Sequence, residues 1–292
     1  MSGPFQALLD GGARLHLQHG PIDLIIGAEP LSGGDRGRAF RAAAARFSTV
    51  LDELVAELPL LSTEISAASP TPEGAVARRM DRAVRRFSPA FATAMAAVAG
   101  AVADEVLAAM LAVGPLARAY VNNGGDIALH LTPGASFSLA IAGLDGADLG
   151  RISVKASDGI GGIATSGQGG RSLSFGIADS VTVLARDAAT ADTAATLIGN
   201  AVDLPGHPAI RRRPAAEMRS DSDLGDRLVV AHVGPLSAGE IGVALHAGAD
   251  LAECYLKSGL IAGAALSLRG SERIIGGLAE TTPIRMEGME HA

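Results

Sequence analysis

Tryptophan is missing from this chain of 292 residues, aromatic residues make up only 3% of it, and a single cysteine, Cys254, is present. One cysteine excludes an intrachain disulfide framework and a cysteine zinc cluster, and nothing demands an oxidising compartment. Cys254 reads as a buried thiol. Positive charge is scarce too: the formal net charge is -7, so the basic face that displaces counterions from nucleic acid is lacking, and an anionic partner would need a local basic site. Long apolar runs are also absent. The small-residue uncharged stretch "AFATAMAAVAGAVA" at 90–103 stops at Asp104 and Glu105, short of the roughly 20 apolar residues that cross a bilayer. It reads as a buried helix. The N-terminal "MSGPFQALLDGGARLHLQHG" lacks a basic segment followed by an unbroken apolar one, so a cytoplasmic protein without a membrane partner is expected.

What the chain has in abundance is small residues. Apolar residues reach 48% and glycines number 37, enough for a sizeable core in which helices and sheet approach closely. Residues 14–28, "RLHLQHGPIDLIIGA", alternate and predict a strand, a Gly-Pro turn and a second strand. His16 and His19 would then face opposite sides, against a shared metal. From Asp35 to Leu58, Phe40, Phe47, Leu51, Leu54 and Leu58 recur at helical spacing, closed by Pro59. Residues 62–74 read as a surface loop. "VARRMDRAVRRF" is a helix whose Arg78, Arg79, Arg82, Arg85 and Arg86 either meet phosphates or face water, the solvated face being the default.

Beyond it, a small-residue helix over 91–113 precedes "YVNNGGDIALHL", where Asn123-Gly124 between alternating runs is a hairpin signal. A two-residue turn leaves Gly125 and Asp126 over. Strands are expected in "FSLAIAGL" and "GRISVKAS", and a glycine-rich loop at "GGIATSGQGG" leads into the strand "SVTVLA". Asp187 is a plausible N-cap for the helix "DAATADTAATLIGNAV". "RRRP" at 211–214 reads as a loop surface between elements, followed by a strand at "RLVVAHVG", a helix from "SAGEIG", and a closing strand, "LIAGAALSLRG". No linker separates a second domain.

Four segments carry residues that packing alone does not require. Asp192 and Thr196 lie four apart on a helix, one turn apart on one face, and a carboxylate with a hydroxyl is a hard-oxygen pair suited to Mg²⁺. Thr165 and Ser166 stand among glycines whose backbone N–H groups would cradle phosphate. They lack the G-x-S-x-G elbow and a neighbouring histidine, and no P-loop motif occurs anywhere. Gly100, in "VAGAVAD", would let a helix approach a partner closely. The fourth segment is "NNGGD" itself.

In that order, "AAVAGAVADEVLAAML", "AYVNNGGDIALHL", "GIATSG" and "DSVTVLARDAATADTAATLIG" resemble the ApbE-like superfamily of FAD:protein FMN transferases over roughly residues 90–200, and most of all a branch of it without an assigned activity. The resemblance implies an α+β fold, ApbE-like and T-fold-like, with a mixed, mainly antiparallel sheet and packed helices. It implies one domain over residues 1–292, with 201–292 as an α/β extension on the core. It implies Mg²⁺ held by Asp192, Thr196 and a backbone carbonyl at Ala96, bridging the pyrophosphate of FAD. Gly100, Asp104, Asn123, Gly124, Gly125, Asp126, Thr165, Ser166 and Gly167 would line the cofactor site, with Asp126 at its rim.

Two departures bear on the reaction. Ala99 stands where the transferases carry a lysine, and their His-Pro-x-Thr-Gly segment is replaced by "GRSLSFGIAD". There Arg171 would restore a positive charge but not a proton-transfer group. Two readings stay open: Mg²⁺-dependent FMN transfer or pyrophosphate cleavage on FAD or a related dinucleotide, or a non-catalytic protein. The latter would bind flavin or another metabolite, or serve a protein partner in sulfur or amino-acid metabolism. A homodimer is expected in either case.

Overall fold

Alternation of apolar residues sets up the first sheet strands. In the computed structural model, which describes residues 3–142, 148–170 and 172–276, β1 (Phe5–Leu9), β2 (Arg14–His19) and β3 (Ile22–Pro30) form an antiparallel meander. Leu15, Leu17, Leu24 and Ile26 fall on its buried face, as period two requires. His16 points the other way and hydrogen-bonds Asp23 at 2.8 Å, while His19 is buried edge-on against Phe47. The two rings do not share a site.

Next, α1 (Arg36–Leu61) buries Phe40, Phe47, Leu51 and Leu54. Pro59, expected to close this helix, lies inside its last turn; the lost N–H falls near an end where the hydrogen-bond ladder is already running out. After α2 (Ala75–Arg85), a short 3₁₀ turn at Ala94–Ala97 leads into α3 (Val98–Leu111). The helix therefore starts later than its composition predicts, because Thr93 is extended and its hydroxyl is held by Asp223. Ala94–Leu111 is apolar and long enough to cross a membrane by composition, and half of that window is buried inside the protein, packed against α1 and, further along the chain, two strands and a helix.

Those strands are β4 (Leu116–Asn123) and β5 (Asp126–Leu131); β6 (Ser136–Ala142) and β7 (Asp148–Lys155) form a separate hairpin. β8 (Gly162–Ser166) and β9 (Ser180–Ala185) precede α4 (Ala188–Ala201), whose N-cap Asp187 accepts from the Thr190 N–H at 2.7 Å. The "GIATS" segment, expected as a loop, is thus a strand. β10 (Ile210–Pro214) and β11 (Leu228–Val233), joined through the one-turn α5 (Ala215–Met218), make a small two-stranded sheet. "RRRP" is therefore not a loop: it is β10, and Arg212 turns inward to the Asp203 carboxylate at 2.6 and 2.8 Å. The chain closes with α6 (Ala238–Lys257), β12 (Gly263–Leu268) and β13 (Ser271–Gly276). Cys254, expected to be buried, is exposed on α6.

Nine strands join in the order β1-β2-β3-β4-β5-β8-β9-β12-β13, and every described pairing is antiparallel. α1 crosses β2 and β3, α3 crosses β4 and β5, α4 crosses β8 and β9, and α6 crosses β12 and β13. Their apolar stripes share one core. On the opposite face Phe137 and Val154 of the β6–β7 hairpin pack over Leu129, Ile163 and Leu184. This is an α+β architecture.

Candidate functional site

The site is built on the antiparallel contact of α3 with α4. A Cβ at Gly100 would overlap the Ala188 carbonyl, so glycine is what lets the two helices come together. Each helix then supplies a carboxylate to the first turn of the other. Asp104 of α3 accepts from the Ala188 and Ala189 N–H groups at 3.1 and 3.0 Å, and Asp192 of α4 accepts from the Gly100 N–H at 3.1 Å. First-turn N–H groups have no partner within their own helix, and the positive end of the helix dipole favours an anion there.

Burial nevertheless works against both charges. It raises the Asp104 carboxyl to about 7, with the neighbouring Asp187 adding to the shift and two backbone hydrogen bonds and Arg79 opposing it. Asp192 is held well above the ordinary carboxylate range, first by burial and then by the charge of Asp126, against backbone hydrogen bonds from Gly100 and Ala99.

The hairpin brings Asp126 there. Asn123 pairs with Asp126 across the β4–β5 ladder, so the turn is Gly124-Gly125, with φ of 65° and 116°. This is one residue later than Asn123-Gly124. Both turn positions need the left-handed region that glycine adopts without strain. Each flanking residue then has a specific bond. Asn122 Oδ1 accepts from the Gly125 N–H at 2.9 Å, Asn123 Nδ2 donates to the Ala99 carbonyl at 3.1 Å, and Asp126 Oδ1 accepts from the Thr165 N–H at 3.2 Å. The hairpin is tied to α3 on one side and to β8 on the other.

These elements enclose a cavity of about 280 Å³, with Ala96, Ala99, Asp126, Asp192 and Thr196 in its wall. Four of the expected site residues thus meet in one place. Gly100 and Asn123 stand behind the wall and act through backbone and amide contacts. Gly124, Gly125, Thr165, Ser166 and Gly167 are not lining residues; the Thr165 hydroxyl pairs with that of Thr182 at 2.9 Å. Asp104 opens instead onto a separate cavity. Arg171 lies outside the described residues.

The remaining wall escaped sequence reasoning. It includes Phe91, Phe175, Asn200 and the segment carrying Arg219, Asp221, Ser222 and Asp223. Asp223 is bound to the Thr93 hydroxyl, and the Arg227 guanidinium lies over the Phe91 ring, 3.5 Å from its centre. The polar run "RSDSDLGDR" is the one local signal that could have marked this segment. Among the described residues no lysine or histidine lines the cavity.

For a divalent cation the wall holds residues that carry hard oxygens, Asp192 with its carboxylate and Thr196 with its hydroxyl, and Ala96 beside them. Asp126 raises the Asp192 carboxyl by mutual repulsion, a strain that a cation would relieve. Among the described residues no group of three or more His, Cys, Asp or Glu side chains is disposed around a metal. A carboxylate with a hydroxyl is a hard-oxygen pair, which suits Mg²⁺, an ion that keeps waters and takes few protein ligands, better than a softer transition metal. The residues present fit the ion.

A family model described as "AbpE bacteria" matches residues 6–274. A UPF0280 protein of Methanothrix thermoacetophila is 41% identical over 109 residues, covering 37% of this chain and 45% of the relative. One from Methanopyrus kandleri is 38% identical over 154 residues, covering 51% and 59%. The alignments thus span about half the length of these curated relatives. Among solved structures, an ApbE protein from Thermotoga maritima overlaps with a TM-score of 0.48 at 11% identity, covering 89% of this chain and 96% of that one. The flavin transferase ApbE of Vibrio cholerae overlaps with a TM-score of 0.40 at 13% identity, covering 94% and 98%. Both structural likenesses are weak.

Proposed function

The chain belongs to the AbpE bacteria family, and from that premise we propose that its Asp192 cavity binds the pyrophosphate of FAD or a related dinucleotide with Mg²⁺ and cleaves it, transferring FMN to a hydroxyl or to water. One observation carries this reading: Asp192, Thr196 and Ala96, the three residues that the motif resemblance assigns to the metal, stand together with Asp126 around one cavity. Mg²⁺, when bound, supplies charge neutralisation on the phosphate oxygens. Asp192 and Thr196 would hold it, with Asp192 fixed in place by the Gly100 N–H.

The bond formed joins the attacking oxygen to the FMN phosphorus; the bond broken is that phosphorus to the bridging oxygen, and AMP leaves. The proton of the attacking hydroxyl passes to a carboxylate of the wall, and Asp126, oriented by the Thr165 N–H, is the group assigned to take it. Phe91 and Phe175, whose ring centres are 5.9 Å apart, supply apolar surface for a planar ring.

A second reading rests on the lining itself. With Ala99 in place of a lysine and no histidine in the wall among the described residues, a protein that holds the flavin nucleotide without turning it over also fits the geometry. The two separate in one experiment: incubate the protein with FAD and Mg²⁺, with and without a threonine-containing target peptide, and quantify AMP, FMN and bound flavin. AMP release that disappears in Asp192→Ala supports transfer or hydrolysis. Stoichiometric flavin without AMP supports the carrier, and neither signal removes both.

A further inference from the structure

Five arginines on α2 and at its C-cap (Arg86) have no assigned role from the sequence, and the fold sorts them. Arg78 bonds the Glu73 carbonyl at the surface, and Arg85 is tied to Asp81 and to the Ser66 and Ser69 carbonyls, each at 2.8 Å. The other three, Arg79, Arg82 and Arg86, share one helix face at spacings of three and four. They line a second cavity of about 340 Å³ against the first turn of α4, together with Asp104, Asp187 and Thr190. Among the described residues it shares no lining with the Asp192 cavity.

The donors in this cavity are guanidinium groups. The Ala188 and Ala189 N–H groups are already taken by Asp104. Arg79 is paired with Glu105 at 2.7 Å. Arg86 donates to the Thr190 hydroxyl at 3.1 Å and lies 3.9 Å from Asp187. Arg82 has no carboxylate partner among the described residues; its Nε donates to the Arg78 carbonyl at 3.2 Å. Three guanidinium groups thus face the positive end of a helix, where cations are disfavoured, and among the described residues Arg82 has no carboxylate to balance it. An anion between α2 and α4 would resolve both imbalances.

We propose that this cavity binds a phosphate dianion, free or as the end group of a small monoester, through Arg82 and Arg86 with the Thr190 hydroxyl alongside. Guanidinium forks match phosphate oxygens two at a time. The proposal does not depend on the reading of the Asp192 cavity, because it uses other residues.

Inorganic phosphate, titrated into the full chain at constant ionic strength and followed by calorimetry and thermal unfolding, tests it. Wild type should bind saturably. Arg82→Gln should weaken binding by about tenfold and Arg82→Gln/Arg86→Gln by about a hundredfold, one charge-assisted contact per step. Arg78→Gln, on the same helix outside the cavity, should leave binding unchanged. Arg82 is exposed and unpaired with acid, so its single variant keeps the fold, which the phosphate-free unfolding midpoint checks. Glycerol 3-phosphate binding more tightly than inorganic phosphate identifies a monoester, and the reverse identifies the free ion. The proposal is overturned if wild type shows no saturable binding, if the double variant binds as wild type does, or if Arg78→Gln weakens binding equally. It is also overturned if binding is lost in Asp192→Asn but kept in the double variant, which would place the phosphate in the other cavity.

Discussion

Asp104 and Asp192 are two carboxylates at opposite ends of one helix pair, each bonded to the first turn of the other helix, and both are raised by burial. Their neighbours differ. Asp104 has Arg79 nearby and two N–H groups on its two oxygens; Asp192 has the charge of Asp126 and opens into a cavity that also holds Thr196. Similar anchoring thus meets different surroundings: a guanidinium beside Asp104, and a second carboxylate and a hydroxyl beside Asp192.

The strongest test abolishes both ends together. Gly100→Val places two methyl groups and a Cβ where the Ala188 carbonyl and Ala189 N–H lie, so the helices must part and both carboxylates lose their partners. A loss of about 3 kcal/mol or more is expected from overpacking plus broken buried hydrogen bonds, measured by urea unfolding. An unchanged midpoint would mean the helices are not held together as described.

The two ends come apart in their pH dependence. Asp104 titrates near 7 in the folded chain against an ordinary 3.8. The folded state therefore binds more protons between those values, and this group's contribution to stability falls as pH rises through that window and is flat above it. Asp104→Asn should remove a slope of up to about 1.4 kcal/mol per pH unit between about pH 4 and 7, whatever its absolute cost. Unfolding free energies of both proteins across that range would expose the difference, and parallel curves would contradict it.

Mg²⁺ should distinguish the ends most directly. At ten times its dissociation constant it should stabilise wild type by about 1.4 kcal/mol. It should do so equally in Asp104→Asn and not in Asp192→Asn, as read from the unfolding midpoint with and without the ion. Equal responses in all three proteins would place the ion elsewhere.

How much of this was legible beforehand follows from the range of each interaction. Asp192 and Thr196 share a face because of helix periodicity alone, and Gly100 announced a close helix contact; both are local statements, and the structure carries both. The alternation in "RLHLQHGPIDLII" marks β2 and β3 for the same reason, whereas β1 at Phe5–Leu9 has no counterpart among the expected strands. The "GIATS" strand was missed because its pairing partners, β5 and β9, lie far off in sequence and glycine weighs against a strand locally. The wall formed by residues 219–224 was invisible because it reaches the cavity through a side-chain bond, Asp223 to Thr93, that spans 130 residues. The turn in "NNGGD" lies one position later than its sequence predicts. Asn123 resembles a turn residue by type, but its amide is spent on the Ala99 carbonyl, a partner in another element.

That amide gives the smallest expected effect and the finest test of the asymmetry. Asn123 is buried and bonds only the open end of the pair, beside Ala96 and Asp192. Asn123→Ala should cost about 1 kcal/mol, because α3's own hydrogen-bond ladder still uses the Ala99 carbonyl and one acceptor lone pair is lost rather than a whole group stranded. The comparison predicts where the loss goes: the Mg²⁺-dependent rise in midpoint should shrink, since the first turn of α3 is no longer fixed beside the cavity, while the pH slope assigned to Asp104 should stay as in wild type. If the slope changed and the Mg²⁺ response did not, the hairpin would be supporting the closed end, and the division between the two carboxylates would have to be redrawn.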